Sequence, residues 1–261
     1  MKKYISILCL IGLVAMSPAA SAKSEWREER SEHFVIYYKK APLDFVKNVE
    51  KMAEQYYSEI TEGLGFTRYQ NWSYDDRAKI YIYDDQDDYV DSAKQARWSH
   101  GVASARMKEI RTFPSAHGFF DSVLPHEMGH IIFREFVGHD INLPLWLDEG
   151  VAMFQEKAKR WGANNRVRDA VNTKKFIPLE ELAYMELSSS TSQETVELFY
   201  AEAASIVYYM ISELGEQSFS NFCRKLKQGS TFDNALSMTY LRIHNINDLN
   251  KFWVKYLEEG Q

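Results

Sequence analysis

The residues of this chain whose types and spacing could do chemistry form the run His126-Glu127-Met128-Gly129-His130. Residues four apart lie on one face of a helix, so His126 and His130 can present two imidazoles to one metal ion while Glu127 projects beside it. Histidine nitrogens at this spacing are typical zinc ligands, and an adjacent glutamate can take a proton from a water molecule. The run therefore predicts a helical zinc site.

A catalytic zinc ion needs three protein ligands and an open position, so a third residue must complete the run. Phe133 and Phe136 stand where metzincins have a glycine and a third histidine, so that class is excluded. The remaining nearby histidines are out of phase with the run or precede it in predicted strand and loop: His139, His100 and His117. Glu149, on the next predicted helix, is the best candidate.

The helix that carries the run is predicted to be buried. Asp121 or Ser122 can cap it, Pro125 falls in its first turn, and its continuation is apolar on nearly every side. Two histidines and a glutamate in such a helix need partners, because unpaired polar groups are costly to bury. A metal ion would provide them.

Leu145 begins the next predicted helix, which carries Glu149. Gly150 beside it would let the two metal-binding helices approach closely. Asp148 has two interpretations: it either hydrogen-bonds to a ligand histidine or caps the helix.

Strands and helices are mixed before the run, and helices alone follow it. His33 to Tyr38 and Lys79 to Tyr83 are rich in β-branched and aromatic residues and predict strands, with an amphipathic helix between them that ends at Gly63. Gly101 to Pro114 predicts one or two strands, either at an open sheet edge beside the site or in a hairpin buried in the sheet. The layout predicts an α+β fold.

The second half predicts a helical part. Tyr200 is predicted to open a helix whose apolar stripe ends at Gly215, with Tyr200 on the inward face. A basic stretch at residues 157–168 is either a solvated helix face or a rim that attracts acidic substrates.

The N-terminus has the pattern of an export signal. Lys2 and Lys3 precede a short apolar run, and Ala20-Ser21-Ala22 resembles a cleavage site, so residues 1–22 are predicted to be a signal peptide. The alternative is an uncleaved membrane anchor, although the apolar run is short for a bilayer span. We expect the protein to be periplasmic or secreted.

Composition excludes some function classes. The net charge of −6 becomes more negative by two units once the predicted signal peptide, with its two lysines, is removed. An acidic surface argues against a nucleic-acid partner. Cys223 is the one cysteine after residue 22, at helical spacing among aromatic residues, which indicates a buried thiol. No second apolar run approaches membrane-spanning length, so the mature form is expected to be soluble.

The histidine-glutamate run is followed by Glu149 within the segment Pro144-Leu145-Trp146-Leu147-Asp148-Glu149-Gly150. This pattern resembles the gluzincins of the peptidase MA clan, the group of thermolysin and the aminopeptidase N family. Short bacterial peptidase MA-like proteins are similar over roughly residues 31–258. The resemblance implies a thermolysin-like catalytic domain at 23–261, with a mixed sheet and the two metal-binding helices at 23–157 and a helical subdomain at 158–261.

The resemblance also implies the roles of individual residues. His126, His130 and Glu149 would be the ligands of one zinc ion, with Glu127 the general base. Phe199-Tyr200-Ala201-Glu202 is similar to the segment that places an oxyanion-stabilising tyrosine in the aminopeptidase N branch, although Tyr200 can also be a core residue.

The implied activity is zinc-dependent hydrolysis of peptide or protein substrates. The chain has no Gly-x-Met-Glu-Asn segment to bind a free amino group, so an endopeptidase is expected. The alternative is a metal-containing but weakly active peptide-binding or assembly factor of the cell envelope. The sequence predicts neither the preferred side chains nor the oligomeric state.

Overall fold

The structure is a computed structural model that describes residues 26–66, 72, 74–94, 97, 99–114, 116, 118–156, 160–188 and 190–259. The predicted signal peptide at 1–22 lies outside these residues, as do His117, Lys157 and Lys159.

Five strands of the described residues form one mixed sheet: β1 (Arg27–Arg30), β2 (Phe34–Tyr38), β3 (Ala78–Ile82), β4 (Gly101–Ser104) and β5 (Glu109–Thr112). Their order is β1-β2-β3-β5-β4, with the three central strands parallel and both edge strands antiparallel. On β3 the side chains of Ala78, Ile80 and Ile82 are buried, while Lys79 and Tyr81 point to the other face. The period of two thus selects the face of the sheet that joins the core.

The segment from Gly101 to Pro114 forms two strands, and β4 lies at the edge of the sheet. The turn between them closes on Lys108, which has a φ of +50°, and its N–H donates to the carbonyl oxygen of Ala105 at 3.2 Å. The interpretation as an open edge strand beside the site is therefore confirmed.

Ten α-helices lie in the described part of the chain: α1 (Leu43–Gly63), α2 (Gln86–Ala93), α3 (Leu124–Val137), α4 (Leu145–Phe154), α5 (Arg160–Asn172), α6 (Leu179–Leu182), α7 (Gln193–Tyr208), α8 (Glu216–Lys227), α9 (Phe232–Thr239) and α10 (Ile246–Glu259). α1 contacts β2 and α3, and α3 also contacts β4 and α4. α4 lies between α3 and α7, which places the predicted metal ligands where the sheet layer meets the helical part.

The start of α3 differs from the prediction. A wider π-helical turn at Phe119–Val123 leads into the helix, and neither Asp121 nor Ser122 caps it. The Ser122 hydroxyl donates instead to the carboxylate of Glu156. Because the chain is already helical before Leu124, a side-chain cap has no free N–H to serve there.

The start of α7 is also different. The helix begins at Gln193, and the Ser192 hydroxyl accepts the N–H of Thr195 at 3.2 Å. Tyr200 is the eighth residue of α7, so the prediction that it opens the helix is wrong. The residues of α7 before Phe199 are mainly polar and none of them is buried, so the apolar pattern begins later than the helix does.

The core is continuous from the sheet to the last helix. Phe34 and Ile80 of the sheet, Phe133 of α3, Phe199 of α7 and Trp253 of α10 are all fully buried in it. This arrangement confirms the predicted α+β fold with a helical C-terminal part, while the division at residue 157 stays a prediction. Within the described ranges, no helix combines the length and the apolar character that crossing a membrane requires.

Candidate metal centre

Three side chains meet where α3 faces α4. The Nε2 atoms of His126 and His130 are 3.2 Å apart, and each lies 3.7 Å from Oε2 of Glu149. Zinc bound tetrahedrally at about 2.1 Å from each ligand separates its ligand atoms by about 3.4 Å. The triangle therefore has the size that a single zinc ion requires. Among the described residues, this is the one group of three or more such side chains that fits a metal ion.

The second nitrogen of each imidazole faces a carboxylate. Nδ1 of His126 donates to Oε1 of Glu156 at 2.9 Å, and Nδ1 of His130 lies 3.4 Å from Oδ1 of Asp148. A proton held on Nδ1 leaves the lone pair of Nε2 free, and Nε2 is the atom that points into the triangle. The arrangement thus orients both rings for metal binding.

Electrostatics around His130 follow from these contacts. Burial alone would lower the pKa of this imidazole, but Asp148, together with the charges of Glu149 and Glu127, raises it to about 9. Burial works against the charge of Asp148 as well, yet His130 and Arg134 hold the pKa of that carboxyl below its ordinary value. The site concentrates negative charge around its two imidazoles, which suits a cation.

Asp148 lies beside His130 and does not cap α4. Pro144 is the N-cap residue of α4 and the helix has no side-chain cap, while Oδ2 of Asp148 accepts from Nε of Arg134 at 3.0 Å. Arg134 also donates to the carbonyl oxygen of Ile141 at 3.0 Å. Asp148 and Arg134 therefore connect α4 with α3 and with the loop before α4.

Glu156 is a site residue that the sequence analysis did not find. It follows Glu149 by seven residues, a spacing that returns to the same side of a helix, but it lies just beyond the end of α4. Its side chain is 4% exposed and bridges Ser122 and His126. A seven-residue spacing indicates a shared face only within one helix. It therefore could not predict the position of Glu156, which lies outside α4.

Two close approaches of helix backbones bring the three side chains of the triangle together. A Cβ atom on Gly129 would lie 2.9 Å from Cα of Ala152, so Gly129 allows α3 to approach α4. A Cβ atom on Gly150 would lie 2.4 Å from the carbonyl oxygen of Ala203, so Gly150 allows α4 to approach α7. The prediction for Gly150 identified a close contact but placed it between the wrong pair of helices.

Glu127 lies beside the edge strand. A cavity of about 500 Å³ is lined by residues 101–106, Glu127, His130 and His139. Burial raises the pKa of the Glu127 carboxyl, and the charges of the two imidazoles and the N–H of Ala103 offset part of the rise. A carboxylate with a raised pKa that faces a cleft is a candidate general base.

Tyr200 lines a different cavity that also borders the metal centre. A second cavity, of about 670 Å³, is lined by Tyr200, His126, Glu156 and Arg166 together with small apolar side chains. Burial, and after it the charge of Glu149, raises the pKa of the Tyr200 phenol to about 12. The structure thus brings Tyr200 to the cavity that His126 faces.

The basic stretch contributes one described cation to this cavity. Arg166 lines it and donates to Oε2 of Glu197 at 2.7 Å, while Arg168 donates to the carbonyl oxygen of Leu257 at 2.9 Å. The residues at 157–159 lie outside the described part of the chain. Arg166 is thus the described residue of the basic stretch that lies beside the site, where the rim was predicted.

Fold and site together define a metallopeptidase-like protein of the gluzincin type. A sequence model of the peptidase MA superfamily matches residues 71–259, which is well over half of the chain. The chain therefore belongs to the peptidase MA superfamily, as the resemblance predicted, and membership indicates a peptidase-like hydrolase. No curated protein matches the sequence.

Proposed function

We propose that this chain is an exported, zinc-dependent endopeptidase. The observation that carries the proposal is the triangle of His126 Nε2, His130 Nε2 and Glu149 Oε2, in which each Nδ1 atom faces a carboxylate. These three residues would hold the metal ion. Zinc bound there would supply a Lewis acid that lowers the pKa of a water molecule and polarises the scissile carbonyl group.

Glu127 is the base of the proposed reaction. Its buried carboxyl has a raised pKa and faces the cavity beside β4. The carboxylate accepts a proton from the attacking water and then donates it to the nitrogen of the leaving amine, so the proton is conserved over the cycle.

Tyr200 is the proposed hydrogen-bond donor to the carbonyl oxygen. Negative charge develops on that oxygen as the water attacks, and a neutral phenol can donate to it. A pKa of about 12 keeps the Tyr200 hydroxyl protonated at neutral pH. Its place on a cavity wall shared with His126 supports this role over that of a core tyrosine.

Cleavage within a chain is supported by the space on either side of the metal centre. The cavities of about 500 Å³ and about 670 Å³ leave room for residues on both sides of a scissile bond. β4 is an edge strand with β5 on one side, and an edge strand can pair with an extended peptide through main-chain hydrogen bonds.

Export is supported by the pattern of residues 1–22. N-terminal sequencing of the protein recovered from a secreting host should begin at Lys23. A protein that retains Met1 or the apolar run would overturn this part of the proposal.

The activity is tested by profiling the cleavage of a peptide library with wild-type protein, Glu127→Gln and the exposed control Glu258→Gln. We expect internal cleavage by the wild type and the control, loss of cleavage with a chelator, and a roughly 100-fold or larger fall for Glu127→Gln. A protein that binds zinc but cleaves no peptide would support the binding or assembly factor instead. Cleavage that Glu127→Gln leaves unchanged would overturn the mechanism.

A further inference from the structure

A separate cavity of about 780 Å³ opens at the start of α4. Its walls come from the residues before and at the start of α4, from α6 with the residues after it, and from the starts of α9 and α10. It shares no lining residue with the two cavities at the metal centre. Neither the general base nor the metal ligands line it, so the proposed reaction leaves this cavity unused.

Large apolar side chains stand exposed in its wall. Tyr184 is 88% exposed and Leu145 is 36% exposed, and both line the cavity next to Phe232. A concave surface that keeps exposed apolar side chains is typical of a docking site, because binding removes that surface from water.

The polar part of the wall has one sign of charge. Glu180, Glu186 and Asp233 line the cavity, and no described lysine, arginine or histidine does. Two of the carboxylates are fixed, since Glu180 accepts from Nδ2 of Asn247 at 2.6 Å and Asp233 accepts from the N–H of Ile246 at 2.9 Å. The complementary ligand is a cation that also carries apolar surface.

The cavity and the metal centre are both bounded by α4. Leu145 and Glu149 are four residues apart, so they share a face of the helix and are separated by about 6 Å along its axis. An extended peptide advances about 3.3 Å per residue, so a chain held at the metal centre reaches Leu145 within two or three residues.

We propose that this cavity binds a segment of the substrate polypeptide in which basic residues alternate with apolar ones, a few positions from the scissile bond. The proposal rests on the peptidase function proposed above. It names the class of substrate, namely polypeptides with a cationic apolar segment beside the cleaved bond. Tyr184 and Leu145 would pack on the apolar residues while Glu180, Glu186 and Asp233 pair with the basic ones.

Binding is measured first without relying on hydrolysis. Fluorescein-labelled Lys-Leu-Lys-Leu-Lys is titrated with the purified protein by fluorescence anisotropy, and mass spectrometry checks that the probe stays intact. Lys-Ser-Lys-Ser-Lys and Glu-Leu-Glu-Leu-Glu are the comparison probes. We expect the first probe to bind roughly tenfold or more tightly than either comparison, because only it matches both the charge and the apolar wall.

Two exposed positions allow substitutions that leave the core intact. Tyr184→Ala should weaken binding of the Lys-Leu probe roughly tenfold, and Glu186→Lys roughly fivefold. The matched controls are Tyr74→Ala, at an 81% exposed tyrosine, and Glu258→Lys on α10, neither of which lines the cavity. Controls that weaken binding as much would show general attraction to an acidic protein and would overturn the site.

A kinetic measurement separates this proposal from the peptidase function. Tyr184→Ala should raise the KM of a peptide extended by Lys-Leu-Lys, with hydrolysis of the unextended peptide unchanged. If the wild type hydrolyses neither the extended nor the unextended peptide but binds the probe tightly, the peptidase function is rejected and the binding site is kept. Binding that shows no preference for the Lys-Leu probe would reject the site. A dimer of the protein that Tyr184→Ala abolishes would also reject it, because the cavity would then bind a second copy of the chain.

Discussion

Glu156 accepts a hydrogen bond from Nδ1 of His126 at 2.9 Å although it lies beyond the helix that carries Glu149. Its other oxygen accepts from Ser122, which precedes His126 by one helical turn. The carboxylate therefore fixes the orientation of the ring whose Nε2 atom faces the triangle, and it joins the residues after α4 to α3 and the turn before it.

Glu156→Gln is expected to weaken zinc binding roughly 10- to 100-fold, because the amide gives up the negative charge that stabilises the imidazole. The measurement is a competition titration against a chromogenic zinc chelator. Glu197→Gln is the control. Glu197 lines the same cavity as Glu156 and Tyr200 but is paired with Arg166, so this substitution should leave the zinc affinity unchanged. Equal affinities for wild type and Glu156→Gln would contradict this role.

Tyr200→Phe is expected to lower kcat about 100-fold with a small change in KM, because the phenol acts as charge develops on the carbonyl oxygen. Tyr208→Phe removes a hydroxyl from the same helix and serves as the control. A fall in thermal stability without a fall in kcat would assign Tyr200 to the core instead.

Gly150→Ala is expected to destabilise the protein by about 1–3 kcal/mol, since the added Cβ meets the backbone of α7. Zinc affinity should fall with it, because Glu149 is the adjacent residue. Gly162→Ala on α5 is the matched control: its Cβ meets nothing within 4 Å, and alanine favours a helix by up to about 1 kcal/mol. Chemical denaturation measures both, and equal stabilities would contradict the close contact.

The buried carboxyl of Glu202 is expected to make the protein less stable as pH rises. It is fully buried on α7, its Oε1 accepts the N–H of Ile177 at 2.8 Å, and its Oε2 has no hydrogen-bond partner among the described residues. Burial raises its pKa from 4.5 to about 8, so the unfolded chain releases this proton at lower pH than the folded protein does. The free energy of unfolding therefore decreases between these two values.

Glu202→Gln keeps the acceptor for Ile177 and removes the titration. Melting temperatures from about pH 5 to about pH 8 should fall less in this variant than in the wild type, by several degrees for a contribution of a few kcal/mol. Glu194→Gln, exposed on the same helix, should keep the wild-type slope. An unchanged slope in Glu202→Gln would show that this carboxyl does not control the pH dependence.

The three residues of the triangle were predictable because their spacing is a property of single helices. His126 and His130 share a helix face by their separation of four, and Glu149 belongs to the next helix, so one helix–helix contact suffices to join them. The fold class followed in the same way from strands with a period of two before the run and helices after it.

Features that depend on tertiary pairing were not predictable. β1 consists of Arg27–Arg30, four charged residues without a strand pattern, and it forms by pairing with β2. Glu156 reaches His126 through the direction in which the chain leaves α4, which no local pattern specifies. The start of α7 was placed too late because its polar first turns pack little, although Ser192 caps them.

Zinc content tests the central claim most directly, namely that His126, His130 and Glu149 hold one ion. Elemental analysis of purified wild type, Glu149→Gln and the control Glu197→Gln should give one zinc per chain for the wild type and the control. Glu149→Gln should retain far less after dialysis, with an unchanged circular dichroism spectrum. Wild-type protein that takes up no zinc from a supplemented buffer, or a Glu149→Gln variant that keeps a full equivalent, would contradict the account.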